Sequence, residues 1–378
     1  MTACAIEGAT GDGGTAEHAG CVIAADGSYA ARLVAPDGGD AWYPERWTLD
    51  GPEPYAVPLP GNQPEEPDSQ LLPLTDGRVL IVRRVDGRHR LVLLYPTGPA
   101  TGELSLGALE CDRLTLLPPA PDGRSAYALA PGAQSTTVWQ VAGGSSGPER
   151  VAEVPGHCWD GGWLDRDGRL LALNRKGPAA GAAGRTKAVA VDLGRGGETS
   201  PLLQIAEDSD DLLLLADPDS GLLLVRSNAP GDDRIGWGVL GSHRPVRFPE
   251  ALHPHGVSVL PFAIQPGQML MPESCAVALR VDGPNGTGVA VWRPAERELR
   301  QLTAPEGWLR GTGLFTRNGE LRLPYAPCGL ARIQPPTEPV TPQPDPMTPA
   351  SEPLTEPRAE PPADTTHKPV PLQEAPLP

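Results

Sequence analysis

Four short segments of this 378-residue sequence concentrate the side chains suited to binding or proton transfer. They are Gly156-His157-Cys158-Trp159-Asp160, Glu207-Asp208-Ser209-Asp210-Asp211, His253-Pro254-His255 and Glu306-Gly307-Trp308. Imidazole and carboxylate suit divalent cations, and an indole face suits a flat or cationic ligand. The candidate ligand-binding residues are therefore His157, Trp159, Asp160, Asp210, Asp211, His253, His255 and Trp308. No metal is assigned to them, because a proline separates the two histidines of His253-x-His255 and no carboxylate converges on them by spacing alone. The competing reading of the same segments is a solvated acidic face whose tryptophans cap the ends of structural units.

Other chemical motifs carry less. Gly143-Gly144-Ser145-Ser146-Gly147 spells a G-x-S-x-G nucleophile elbow, but that motif needs a strand-to-helix turn and here it lies in a Gly/Ser loop between strands. His157 beside Cys158 is adjacency in sequence, which does not bring a base and a thiol into hydrogen-bond geometry. Asp210 and Asp211 point to opposite faces if extended, a poor arrangement for a shared proton, and read as a solvated loop. Asn285-Gly286-Thr287 reads as a turn before a strand. No catalytic set and no cofactor is expected.

The elements that carry these segments follow from a repeat. An apolar run, a tight turn ending in glycine, a second run, a polar loop, and a third and fourth run recur along the chain. The turn glycines are Gly27, Gly77, Gly123, Gly168, Gly221, Gly267 and Gly319, by subtraction 50, 46, 45, 53, 46 and 52 residues apart. A four-stranded propeller blade occupies about that length. The clearest unit has strands at Leu114–Leu117, Ser125–Ala130, Thr136–Val141 and Arg150–Val154; the next has them at Gly162–Leu164, Leu170–Asn174, Lys187–Leu193 and Leu202–Ile205. The expected fold is all-β, a seven-bladed β-propeller over residues 1–334. The last unit has only three candidate strands, so Ala3–Gly8 is expected to close the ring as its outer strand. In the sixth unit Gln265-Pro266-Gly267 falls within a long insertion.

With these runs in view, Pro121-Asp122-Gly123-Arg124, followed by the strand Val138-Trp139-Gln140-Val141, resembles the PD40 repeat of TolB-like and WD40-like propellers. Asp76-Gly77-Arg78 and Asp167-Gly168-Arg169 look similar, and the blade pattern extends from residue 20 to residue 334. Trp159-Asp160 occurs once, between units, whereas WD40 blades repeat such a pair, so that subfamily is not indicated. What the resemblance implies is a binding platform.

Charge and composition narrow the partners. A net charge of −16, with lysine only at 176, 187 and 368, disfavours nucleic acid, which needs clustered cations. No window is apolar enough to span a membrane, and no basic-then-apolar leader is visible, so the expected location is cytoplasmic. Met1-Thr2-Ala3-Cys4 leaves a lipid-anchored or secreted alternative if the start codon is mis-assigned. Residues 335–378 hold fifteen prolines, seven acidic and two basic residues and no aromatic one, and are expected to be disordered because they cannot bury enough surface to offset chain entropy. Their P-x-x-P spacings read as a solvating spacer or a peptide for a proline-binding groove. The leading expectation is a non-enzymatic scaffold recognising a protein or small polar ligand at an acidic mouth. The alternative is a hydrolase or lyase using the carboxylates and histidines there.

Overall fold

The computed structural model describes residues 20–336 apart from 36–38, 146, 178–183, 268–269 and 285. The chain divides into Met1–Pro335 and Pro336–Pro378. The closing strand expected at Ala3–Gly8 and the tail from Thr337 onward lie outside the described residues.

Strands joined as antiparallel meanders make up nearly all of the described structure. The first unit holds β1 (Val22–Ile23), β2 (Tyr29–Val34), β3 (Tyr43–Thr48) and β4 (Tyr55–Pro58), and the second β5 (Gln70–Pro73), β6 (Val79–Val85), β7 (Arg88–Pro96) and β8 (Thr101–Leu109). The third holds β9 (Thr115–Leu116), β10 (Ala126–Pro131), β11 (Ser135–Ala142) and β12 (Glu149–Pro155), and the fourth β13 (His157–Trp163), β14 (Leu170–Lys176), β15 (Thr186–Asp192) and β16 (Glu198–Pro201). The fifth holds β17 (Asp211–Ala216), β18 (Leu222–Ser227) and β19 (Arg234–Val239), with Arg247 bridging Trp237 at the outer position. The sixth holds β20 (Ser258–Ile264), β21 (Val277–Gly283), β22 (Gly286–Trp292) and β23 (Arg300–Leu302), and the last β24 (Leu314–Phe315), β25 (Leu321–Tyr325) and β26 (Gly329–Ile333). A single parallel pair, Lys187↔Asp211, fuses the fourth and fifth units into one sheet.

Residues Val79 to Val82 of β6 and Leu222 to Val225 of β18 are buried consecutively, without the alternation of a one-sided sheet. Such strands are covered on both faces. The covering comes from neighbouring units: Leu72, Leu80 and Leu91 pack with Leu114, Ala128 and Val141, and Leu117, Leu129 and Val138 pack with Cys158, Trp163 and Leu171. The same sharing joins the last unit to the first, where Leu314 and the partly buried Leu309 and Leu330 pack with Cys21, Ile23 and Trp47.

The turns between first and second strands set how closely units approach. Gly27, Gly77, Gly123, Gly168, Gly221 and Gly319 all have positive φ, between 67° and 82°. Several also lie against the preceding unit. A β-carbon on Gly123 would stand 2.2 Å from Thr75 Cγ2, and one on Gly27 would stand 2.8 Å from Leu314 Cδ1. Polar bonds reinforce the approach: the Thr75 amide and hydroxyl donate to the Gly123 carbonyl at 3.0 and 3.1 Å, and Arg46 Nη1 donates to the Gly77 carbonyl at 3.0 Å.

Three expectations change in detail. Gly267 is not a hairpin glycine; the chain from β20 to β21 passes through a 3₁₀ turn at Pro272–Ser274 instead. The outer strand of the fourth unit is the polar Glu198–Pro201 rather than Leu202–Ile205, because a solvent-edge strand needs no apolar residues while Leu203 is wanted in the core beneath it. Residues 157–160 are strand rather than loop, since Gly156 at φ 97° is enough to turn the chain from β12 into β13.

Replacing Gly123 with alanine should lower stability by at least about 2 kcal/mol, combining a left-handed backbone with overpacking against Thr75. Thermal melting checks this, and Gly98→Ala, at a positive-φ site with open space around it, should cost less.

Candidate binding site

Innermost strands run in the same direction in successive units, as the parallel pairing of β15 with β17 requires. The starts of first and third strands therefore gather at one mouth, and the glycine turns at the other. Asp210, Asp211 and His157 stand at strand starts, while His253, His255 and Trp308 precede β20 and β24.

Sequence alone makes this mouth acidic; the structure neutralises most of it. Glu65-Glu66 meets Arg83-Arg84, with Arg83 Nη2 to Glu65 Oε1 at 2.7 Å, Arg84 Nε to Glu66 Oε2 at 3.0 Å and Arg84 Nη2 to Asp68 Oδ2 at 2.6 Å. Arg83 also reaches Glu103 at 2.9 Å, Arg88 pairs with Glu110, and Arg234 with Glu250 at 2.7 Å. A doublet of opposite sign about one hairpin away was the signal in the sequence for the first of these pairings.

Asp210 and Asp211 point apart, as extended backbone demands, but they are not a solvated loop. Asp210 Oδ1 accepts from the Thr186 amide at 2.7 Å, and its Oδ2 lies 3.2 Å from Arg185 Nη1. Asp211 is fully buried. It pairs with Lys187 Nζ at 2.7 Å and accepts from Ser227 Oγ at 2.6 Å, Ser209 Oγ at 2.8 Å and the Ile205 amide at 2.9 Å. Burial alone would raise its pKa, but Lys187, Ser227, the Ile205 amide and Ser209 together hold the carboxyl below its ordinary value. Lys187 and Ser227 are residues that sequence reasoning missed, since Asp211 meets Lys187 from the neighbouring unit and Ser227 from the facing strand of its own hairpin.

The His253 ring Nε2 lies 2.9 Å from the Ile235 carbonyl, while His255 is exposed. Trp308 is buried, donates to the Thr312 carbonyl at 2.9 Å and packs on Phe262 with ring centres 5.5 Å apart. Among the described residues no three His, Cys, Asp or Glu side chains are grouped to hold a metal ion.

What the structure does bring together lies on β13. The rings of exposed His157 and half-buried Trp159 have centres 5.9 Å apart. Asp160 follows in a bulge, because Trp159 opposes Asn174 and Gly162 opposes Ala172, leaving Asp160 and Gly161 against one partner. Its φ is 50°, a left-handed backbone inside a strand. Burial pushes its carboxyl up to about 6.

No protein-family model matches the chain, and no curated protein matches it. Among solved structures it is similar to a puromycin-hydrolysing peptidase of Mycobacterium tuberculosis, at 14% identity and TM-score 0.54, over 84% of this chain and 51% of that one. The β-propeller domain of the Trilobed protease from Pyrococcus furiosus aligns at 11% identity and TM-score 0.49, over 84% of this chain and 95% of that one. TolB from Acinetobacter baumannii aligns at 13% identity and TM-score 0.43, over 79% and 77%. The fold is a β-propeller. At such identities the likeness is one of fold, and the propeller spans about half the length of the peptidase it matches.

Two outcomes follow for the mouth. Lys187→Met leaves Asp211 charged and buried without its cation, so the propeller should lose about 3 kcal/mol at neutral pH, read from denaturant unfolding. Asp160 acts in the opposite sense. Its folded carboxyl holds a proton more tightly than an unfolded one at about 3.9, so stability is highest below that value and falls as pH rises to 6. Asp160→Asn should melt higher than wild type above pH 6, by up to roughly 3 kcal/mol, and the gap should close below pH 4.

Proposed function

We propose that this propeller is a non-enzymatic binding module that recognises a protein partner or a small polar ligand at the mouth where its innermost strands begin. The observation that carries the reading lies within that mouth: Glu65, Glu66, Asp68, Asp210 and Asp211 are tied to arginine or lysine, while exposed His157, half-buried Trp159 and the bulged Asp160 lie on one strand. An indole with an exposed face beside a polar group is the composition of binding hot spots. His255, exposed before β20, adds a polar group at the same mouth. The unit Pro336–Pro378 is a solvating spacer in this reading, with its P-x-x-P segments a second docking element.

The hydrolase or lyase alternative has one observation in its favour, the Asp160 carboxyl near 6, since a group titrating close to neutrality suits proton transfer. A cytoplasmic location belongs to the proposal, with a lipid-anchored or secreted chain as its alternative; fractionation of the source cells separates them. No helix among the described residues is long and apolar enough to cross a membrane.

Affinity capture with the full chain, a chain ending at Pro336 and the Trp159→Ala variant tests the module. Trp159→Ala should weaken capture by roughly thirtyfold, as loss of about 2 kcal/mol at a hot spot implies. The shortened chain should melt at an unchanged temperature; partners that it alone loses belong to the tail. Capture unaffected by any change at His157, Trp159 or His255 would move recognition away from this mouth.

A further inference from the structure

Three inner strands carry a bulge at the same place. In β17 the extra residue is Leu214 and in β20 it is Phe262, both packed into apolar clusters. In β13 that position holds Gly161, and Asp160 stands one residue earlier, where β17 has Leu213 and β20 has Pro261. The sequence thus places a charge where its sister units use Leu213 and Pro261.

The backbone there is also one that glycine usually supplies. A bulge whose first residue is left-handed takes glycine by preference, and a non-glycine residue costs about 1–2 kcal/mol. Among the described residues Asp86 is the other non-glycine with positive φ, at 52°, and its Asp86-Gly87 hairpin demands it. Asp160 has no such turn to make.

A structural role would show in hydrogen bonds, and the propeller's structural aspartates make them. Asp76 and Asp122 each accept backbone amides in the glycine turns at 2.9 to 3.0 Å, and Asp217 accepts the Ser220 amide at 2.8 Å and the Gly267 amide at 3.2 Å. Asp160 accepts none among the described residues and pairs with no cation there, although it is half-buried. A left-handed, half-buried carboxylate with no partner among the described residues is a feature maintained for something outside the chain.

We propose that Asp160 anchors a cation site, its carboxylate receiving a primary ammonium or guanidinium group. The inference rests on the reading of this mouth as a binding surface and names the chemistry bound. A charge-assisted hydrogen bond supplies the partner that this half-buried carboxylate lacks among the described residues. The chain's net charge of −16 draws such groups in.

The test uses the full chain, titrated calorimetrically with n-butylammonium, with blocked Gly-Lys-Gly and Gly-Arg-Gly peptides, and with blocked Gly-Ala-Gly as the neutral control. Wild type should bind cationic probes saturably and ignore the control. Asp160→Asn and Asp160→Gly should each bind at least about tenfold more weakly. Asp160→Gly should melt no lower than wild type, because glycine relieves the backbone, so lost binding cannot be put down to misfolding. Binding of n-butylammonium assigns a free small cation; binding of the peptides alone assigns a basic side chain of a partner. Either supports the site. Failure of every cationic probe to bind wild type, or unchanged affinity in Asp160→Asn, overturns it. Partner capture that persists in Asp160→Asn would then leave the mouth reading standing without the cation.

Discussion

Each sheet of this protein has two apolar faces and can cover neither by itself, so burial between successive sheets is the constraint on which everything else rests. The clusters that stabilise the fold lie between units rather than within them, and that between Leu314 and Trp47 joins the ends of the described chain. Close approach follows. The turn glycines permit it, and polar side chains then lock the junctions: Gln70 bonds the Leu114 carbonyl and Leu116 amide at 2.7 Å each, Asn174 bonds both backbone groups of Leu213, and Thr136 accepts the Cys158 amide at 2.8 Å. Because inner-strand edges are open only toward the axis, these side chains satisfy backbone groups that no sheet partner reaches.

The same arrangement divides labour between the mouths. Glycine turns at one end pack turn on turn and leave little freedom for substitution. The other end is made of longer connections whose charges answer one another across strand starts. Exposed ion pairs there contribute little stability individually. Their effect is on the field: by matching Glu65, Glu66, Asp68 and Glu110 with arginines, they remove the uniform acidity that composition suggests and leave a few unmatched groups to act.

Two carboxylates, one fully buried and one half-buried, show both ways such a group is accommodated. Asp211 is supplied with a lysine, two hydroxyls and an amide, and stays ionised while fully buried. Asp160 has no hydrogen-bond partner or cation among the described residues, and burial raises its pKa instead. One stabilises a junction between units. The other lowers stability at neutral pH.

Much of the fold was legible in the sequence because its signals are local. Short apolar runs bounded by Asp-Gly turns predict hairpins, since only a few residue types adopt positive φ, and the strands of the third unit fall within a residue or two of where those runs place them. Where locality ends, so does legibility. Nothing near Leu202–Ile205 reveals that polar Glu198–Pro201 takes the outer edge, because pairing to β15 is chosen by the hairpin turn and not by hydropathy. The site divides likewise. Residue type placed His157, Trp159 and Asp160 among eight candidates with Asp210, Asp211, His253, His255 and Trp308. That Trp308 is core, that Asp211 is buried against Lys187, and that Asp160 is left-handed and unpartnered were decided only when distant strands met, because burial and pairing belong to neighbours that the chain supplies from another unit.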